Sequence, residues 1–305
     1  MKRVGFYYDN IFLKHKTPLW HPESNIRLIH IVNSLKETEL WKSLRHYKPP
    51  KASFEEVALI HDEDYIKGLL NKPAGHLDPD TYFSLDTLEA SLHAVGAIID
   101  AIKRIKDGEI ERAFCAVRPP GHHALAHRAM GFCIFNNAAI GTRFAQKIGF
   151  NKVLIIDFDV HHGNGTQDAF EQDNTVFYFS THQYPHYPGT GAEEEKGSGM
   201  GYGYTCNIPV KAGAGDKTYG KIYNEVLPKI MSQFDPHIVL VSAGYDLHKH
   251  DQLSATRVSN DGIRSIVKAI VSNTDKPIVM TLEGGYNIPA LEDSVKITIE
   301  ELLYS

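Results

Sequence analysis

Seven short runs of apolar, β-branched residues recur along the chain with helix-length segments between them. That alternation limits the fold more than any other feature of the sequence. The runs are Val4–Tyr8, Arg112–Val117, Lys152–Ile156, Thr175–Phe179, Tyr204–Ile208, His237–Ser242 and Pro277–Leu282. Several are apolar on both faces (VLIID, IVLVSAG, IVMTL), as strands of a parallel sheet are when helices cover both faces. Between them, Asp86–Asp107 carries Leu88, Leu92, Val95, Ile99, Ile102 and Ile105 at three-to-four spacing. It opens on an Asp86…Glu89 capping box and stops at Gly108. Ser24–Lys36, Asn136–Gly149, Asp216–Ser232, Ser259–Ser272 and Pro289–Leu303 read as further helices, and Ser53…Glu56 as another cap. No repeat, low-complexity stretch or Pro/Gly/Ser linker divides the chain, so residues 1–305 are expected to form one α/β domain.

The unusual residues follow the strands. RPPGHH comes after 112–117, DFDVHHGNG after 152–156, STHQYPHYPGTG after 175–179, AGYD after 237–242 and EGGY after 277–282. Ligands of parallel α/β sheets bind at the carboxyl ends of strands. If these strands are neighbours, five polar, glycine-rich loops meet at one pocket.

The sharpest segment is Asp157-Phe158-Asp159-Val160-His161-His162-Gly163-Asn164. On an extended chain alternate residues share a face. Asp159 and His161 therefore point one way, with Asp157 a step deeper. Asp246 ends a separate apolar run. Carboxylate plus imidazole suits zinc or another first-row divalent ion. A lone Asp-x-His is more often a polar strand end; the acid from a second strand favours a metal. Two Asp and one His leave a coordination position open, as catalytic sites do.

The tandem His122-His123 follows Arg118-Pro119-Pro120-Gly121 and can supply ligands, acid and base groups, or surface polarity. Amide hydrolysis needs a base for water and an acid for the leaving amine, and histidine serves as both near neutral pH. A buried imidazole needs its second nitrogen oriented, and Asp157 and Asn164 are candidates. A carboxylate partner favours the imidazolium whereas an amide only orients the ring, so the histidine held by Asn164 is expected to stay neutral and act as base. Tyr286, in Glu283-Gly284-Gly285-Tyr286, offers a phenol to a developing oxyanion, an effect worth ~10²–10³ in rate for comparable donors. Gly131-Phe132-Cys133 and Tyr187-Pro188-Gly189 place aromatic rings beside glycines, suited to a slot for an alkyl chain. Cys133 reads as a buried small hydrophobe rather than a nucleophile.

Composition excludes several classes. The formal charge is −5 with no block of Lys/Arg, which argues against nucleic acid as a partner. No apolar run reaches the ~18 residues of a membrane span. The start, MKRVGFYYDN, lacks a signal-peptide core. Three scattered Cys (Cys115, Cys133, Cys206) without a CxxC pair point to a reducing cytoplasm and against a cysteine-rich structural zinc site. Homo-oligomerisation is compatible with the sequence and not specified by it.

Taken in order, RPPGHH, GFCIFNN, DFDVHHGNGTQ, STHQYPHYPGTG, SAGYD and LEGGYN resemble the zinc-dependent histone deacetylase superfamily. The likeness extends from Pro18-Leu19-Trp20-His21-Pro22-Glu23 to Tyr286. Asn164, Asn136-Asn137 and the AMGFC lead-in are similar to the class II branch, which includes bacterial and archaeal deacetylase-like amidohydrolases and acetylpolyamine amidohydrolases. The resemblance implies a three-layer α/β/α sandwich around a mainly parallel sheet of about eight strands, the arginase/deacetylase fold. It implies Zn2+ on Asp159, His161 and Asp246. It implies catalytic roles for His122, His123 (favoured as general base) and Tyr286, with Asp157 and Asn164 behind the histidines. It further implies K+ at Asp157, Asp159, His161, Ser180 and Thr181, and an acyl-lysine tunnel at Gly131, Phe132 and Tyr187, where relatives usually carry Phe. Arg27 falls near an internal channel for acetate.

Relatives with His in place of the tyrosine are nearly inactive on acetyl-lysine, so Tyr286 implies real deacetylase activity. Polyamine deacetylases of one branch carry an acid where this chain has Leu253, which favours acetyl-lysine over N-acetylpolyamine or another small acylamide. A binuclear manganese hydrolase would need carboxylates at the positions of Gly163 and His248. A catalytically silent acyl-binding or partner-binding protein would not need the intact Tyr286 and His pair.

Overall fold

A computed structural model describes residues Met1–Ser305. Its main sheet has eight strands in the order β2-β1-β5-β10-β9-β6-β7-β8. In chain order the strands are β1 (Val4–Tyr7), β2 (Arg45–Tyr47), β3 (Gly75–His76), β4 (Tyr82–Phe83), β5 (Arg112–Cys115), β6 (Val153–Asp157), β7 (Val176–Gln183), β8 (Thr205–Val210), β9 (Ile238–Ala243) and β10 (Ile278–Leu282). Every pairing in the main sheet is parallel, and only the small β3–β4 pair is antiparallel.

The predominantly apolar strands β6, β9 and β10 lie side by side in the middle, each fully buried. Helix Thr87–Lys106 packs against Asn137–Lys147, while Ile26–Lys36, Asn260–Ser272 and Ile288–Tyr304 pack on one another, so the two groups flank the sheet. The result is the three-layer α/β/α sandwich of the arginase/deacetylase type.

The five loops marked in the sequence leave β5, β10, β9, β6 and β7, five consecutive members of the sheet. Register then aligns their ends. Asp157 pairs with Ser242 on one side and Ser180 on the other. Buried polar side chains gather at that edge: His122, His123, Asp157, Asp159, Asp246 and Glu283 are all essentially inaccessible.

Several local expectations change. β7 continues to Gln183, so Ser180 and Thr181 belong to the strand rather than to the loop after it. The segment expected as one helix over 216–232 is Asp216–Lys221, a π-helical turn Ile222–Val226, and Leu227–Phe234. Pro228 has no N–H to give Asn224, and the ladder widens just before it. The Ser53…Glu56 capping box forms in full, but Asp86 makes no side-chain cap bond. Glu89 is drawn away to Lys51 and His93.

Gly96 lies inside the Thr87–Lys106 helix, where alanine would ordinarily gain about 1 kcal/mol. Here a Cβ would sit 1.9 Å from the Pro50 carbonyl oxygen. Gly96→Ala is therefore expected to destabilise the fold by about 1–3 kcal/mol, read as a lower urea midpoint at unchanged m-value. An unchanged or higher midpoint would show that the 50–52 segment yields freely.

Candidate active site

Asp159, His161 and Asp246 converge. His161 Nδ1 lies 3.1 Å from Asp159 Oδ1 and 3.1 Å from Asp246 Oδ2, and one ligand atom from each residue falls within 4.8 Å of the others. The second oxygen of each carboxylate is already fixed. Asp159 Oδ2 accepts the Gly284 N–H at 2.8 Å, and Asp246 Oδ1 accepts the Val160 N–H at 3.0 Å. Gly284 has no room for a side chain, since a Cβ would lie 2.2 Å from Asp246 Oδ2 and 2.6 Å from Asp159 Oδ2.

Burial and the Asp159 charge push the Asp246 carboxyl up to about 7. Burial alone would lower His161, but Asp246 and Asp159 lift it to about 10. Two buried carboxylates facing one imidazole thus demand a positive charge between them. The donor set, two carboxylates and one imidazole, fits a divalent zinc-like ion.

Asp157, a step deeper in the chain, turns to the tandem histidines, as expected of a carboxylate partner for an imidazole. Its Oδ2 lies 3.0 Å from His122 Nδ1 and accepts the Tyr178 hydroxyl at 3.0 Å. His123 Nδ1 lies 2.8 Å from Asn164 Oδ1. Asn164 is fixed in turn through Nδ2, which donates to Met130 Sδ at 3.4 Å. With Nδ1–H donating, each ring presents Nε2 to the cavity. The rings are 4.0 Å apart yet titrate oppositely. Burial disfavours charge on both. At His122 the Asp157 and Asp159 carboxylates overcome it and raise the ring to about 10. At His123 burial, with the charges of His122 and His161, holds the ring well below the usual histidine value.

Tyr286 closes the opposite wall. Burial and the nearby Asp246 charge hold its phenol well above its ordinary value, so it is protonated. The Arg27 guanidinium lies 5.0 Å from the centre of its ring and donates to the Gly285 carbonyl at 2.7 Å. A narrow cavity of about 90 Å³ is lined by His122, His123, His161, Gly131, Phe132, Tyr187, Leu253 and Tyr286. Phe132 meets the Tyr286 ring edge-on at 6.0 Å, and Tyr187 meets His123 at 5.1 Å. Gly131, at φ +57°, abuts His123, where a Cβ would come within 2.3 Å of the ring. Ser180 and Thr181 lie beside Asp157, their hydroxyls engaged by His182 (2.8 Å) and Tyr223 (3.0 Å).

Three acids at the site were not found from the sequence. Asp80 lines the cavity and accepts the Gly131 N–H at 3.2 Å; burial and Asp78 push it up to about 6. Asp251 Oδ2 accepts the N–H groups of Tyr286 (2.6 Å) and Asn287 (3.0 Å), and its Oδ1 accepts that of Leu253 (3.0 Å). Glu283, noted only as part of EGGY, bonds the backbone of the tandem-histidine loop. Asp78-Pro79-Asp80 reads as an ordinary turn, and nothing in local spacing marks the other two.

The histone deacetylase domain model matches residues 21–302. The chain belongs to the histone deacetylase family. It is 37% identical to a probable deacetylase of Archaeoglobus fulgidus, over 93% of this chain and 82% of that one. It is also 37% identical to histone deacetylase 14, chloroplastic, of Arabidopsis thaliana, over 93% of this chain and 73% of that one. The crystal structure of the HDA15 HD domain superposes with a TM-score of 0.95 at 35% identity, covering 99% of this chain and 88% of that one. Membership implies amidohydrolase activity of the deacetylase kind. No helix is long and apolar enough to cross a membrane.

Gly131→Ala would press a methyl group into His123. It is expected to lower kcat about 10²-fold, since misplacing a reacting group by 1 Å costs that much, with the unfolding transition still cooperative. Wild-type turnover in that variant would mean that the His123 ring has room to move.

Proposed function

We propose that the protein is a zinc-dependent deacetylase that hydrolyses the acetyl amide of acetyl-lysine and releases acetate. The observation that carries this reading is the Asp159/His161/Asp246 cluster facing two imidazoles of opposite charge preference. A divalent ion held there supplies Lewis acidity, lowering the pKa of water toward ~7 and polarising a carbonyl.

The chain's own groups do the rest. His123, neutral and aimed by Asn164, takes the proton of the attacking water at Nε2 and returns it to the leaving amine. His122, kept charged by Asp157, offsets the negative charge that grows on the acyl group. Tyr286 donates its phenolic proton in a hydrogen bond to the same oxygen. Gly131, Phe132, Tyr187 and Leu253 line the path for the alkyl stem and exclude water from it. K+ at Asp157, Asp159, His161, Ser180 and Thr181 belongs to the same reading and rests on the family likeness. We take residues 1–305 as one catalytic domain. The three free cysteines support a reducing compartment such as the cytoplasm.

One observation favours a second substrate, an N-acetylpolyamine or related small cationic acylamide. Leu253 offers a cation nothing, but Asp80 lines the cavity with Asp78 close behind it. Parallel assays on acetyl-lysine peptide, acetylputrescine and longer acetylpolyamines, with metal content measured on the same preparation, decide between the two. A zinc-loaded protein inert on all of them would sink the deacetylase reading.

Asp246→Ala is expected to lose the bound metal; full retention would show that the ligand set is wrong. Tyr286→Phe should keep the metal and lower kcat by about 10²–10³; unchanged turnover would remove Tyr286 from the mechanism. The pH profile has a definite sign. His123 is depressed, so the acid limb should lie below 6.5. The Asp157 carboxylate stabilises charged His122, so Asp157→Asn lowers the His122 pKa and should move the alkaline limb of kcat to lower pH. A limb that stays put would mean that His122 does not need its charge.

A further inference from the structure

Glu283 is completely buried just after β10, three residues before Tyr286, where burial pushes its carboxyl up to about 7 against the pull of the nearby His122 charge. Hydrogen bonds satisfy it. Oε2 accepts the N–H of Gly121 at 2.6 Å and that of His122 at 3.2 Å, and Oε1 accepts the Ser242 hydroxyl at 3.1 Å. One side chain therefore spans three strand ends. It belongs to the loop carrying Tyr286, it holds the backbone of the loop carrying His122 and His123, and it is braced on β9, the strand that leads to Asp246.

The geometry around these bonds leaves little slack. A Cβ at Gly121 would lie 2.5 Å from the Asn137 nitrogen and 2.9 Å from the Phe135 carbonyl oxygen, so this turn is pressed against the 135–137 backbone on its other side. The adjoining Gly284 N–H is taken by Asp159 and the Tyr286 N–H by Asp251. Apart from Glu283, no side chain from the Tyr286 loop hydrogen-bonds the backbone of the tandem-histidine turn. A buried carboxyl is costly unless its hydrogen bonds matter.

We propose that Glu283 is a positioning residue for the reaction, setting the separation of the histidine pair and Tyr286 by hydrogen bonds to the Gly121–His122 backbone. This rests on the deacetylase reading above. Glu283 reaches neither the cavity nor the metal ligands, so its effect falls on kcat. Placing acid, base and oxyanion donor to within a fraction of an ångström is worth up to about 10² in rate.

The test uses the zinc-loaded 305-residue chain and an acetyl-lysine peptide. Glu283→Ala is expected to lower kcat about 10- to 100-fold, with KM within about twofold, on the scale of a wild-type-like binding free energy, and with metal content unchanged. Glu283→Gln keeps the length and an oxygen for both N–H groups, and it should restore most of kcat. Glu283→Asp keeps the carboxyl group but is one methylene short, and it should fail like alanine. Should the alanine variant not fold, the Gln and Asp variants still decide the matter. The inference is overturned if Glu283→Ala turns over like wild type, if its defect lies in KM or lost metal, or if Gln fails where Asp succeeds. A wild-type protein inert on the peptide would instead count against the deacetylase reading itself.

Discussion

Two carboxylates, Asp159 and Asp246, are buried within reach of one another, and the surroundings are arranged to make that tolerable. Like charges at such range in a dry interior repel strongly. Backbone N–H groups from Gly284 and Val160 neutralise part of the cost, each taking one oxygen. The other oxygens are left facing His161 and whatever cation sits between them. The parallel sheet holds these groups together, because Asp159 follows β6 and Asp246 follows β9, and the two strands are hydrogen-bonded neighbours.

The same negative charge organises the histidines. Asp157 and Asp159 both act on His122, and the resulting positive charge pushes down its neighbour His123. Two identical side chains adjacent in sequence thus acquire different protonation because one meets a carboxylate and the other an amide. A neutral ring beside a charged one at the same pH needs separated pKa values, and a tandem pair with matched partners would not supply them.

Much of this was legible in the chain. Strands β6, β9 and β10 announce themselves as apolar runs, and the chemistry-bearing motifs follow directly. Asp159 and His161 are found from their spacing, although the chain bends at 159–161 rather than running on as the extended strand that the alternation assumed, and Asn164 from the chemistry an imidazole requires. What escaped depends on partners remote in sequence. Glu283 bonds residues 162 and 161 positions away, and Asp251 reaches 35 residues to Tyr286. The capping box at Asp86 had the right letters, but Glu89 finds Lys51 closer to hand. The three-residue strand β2, Arg-His-Tyr, has too little apolar character to be read as a strand at all.

The acids that escaped share a physical role. The ligands and histidines are specified by what they do to a substrate, so their types and spacing carry a chemical signature. Asp251 and Glu283 act mainly on backbone N–H groups, which every residue but proline possesses, and the one side-chain partner, the Ser242 hydroxyl on Glu283, lies 41 residues away, so nothing nearby marks them in the sequence. They are needed because the Tyr286 loop contains two glycines and cannot hold its own shape. A glycine at 284 lets the backbone approach Asp159 and Asp246, and the conformational freedom it brings must then be removed by contacts from outside. Asp251 fixes the tyrosine end, Arg27 the carbonyls and Glu283 the histidine side. Close approach and rigid placement are therefore met by different residues, and the acids that brace the loop follow from its glycines.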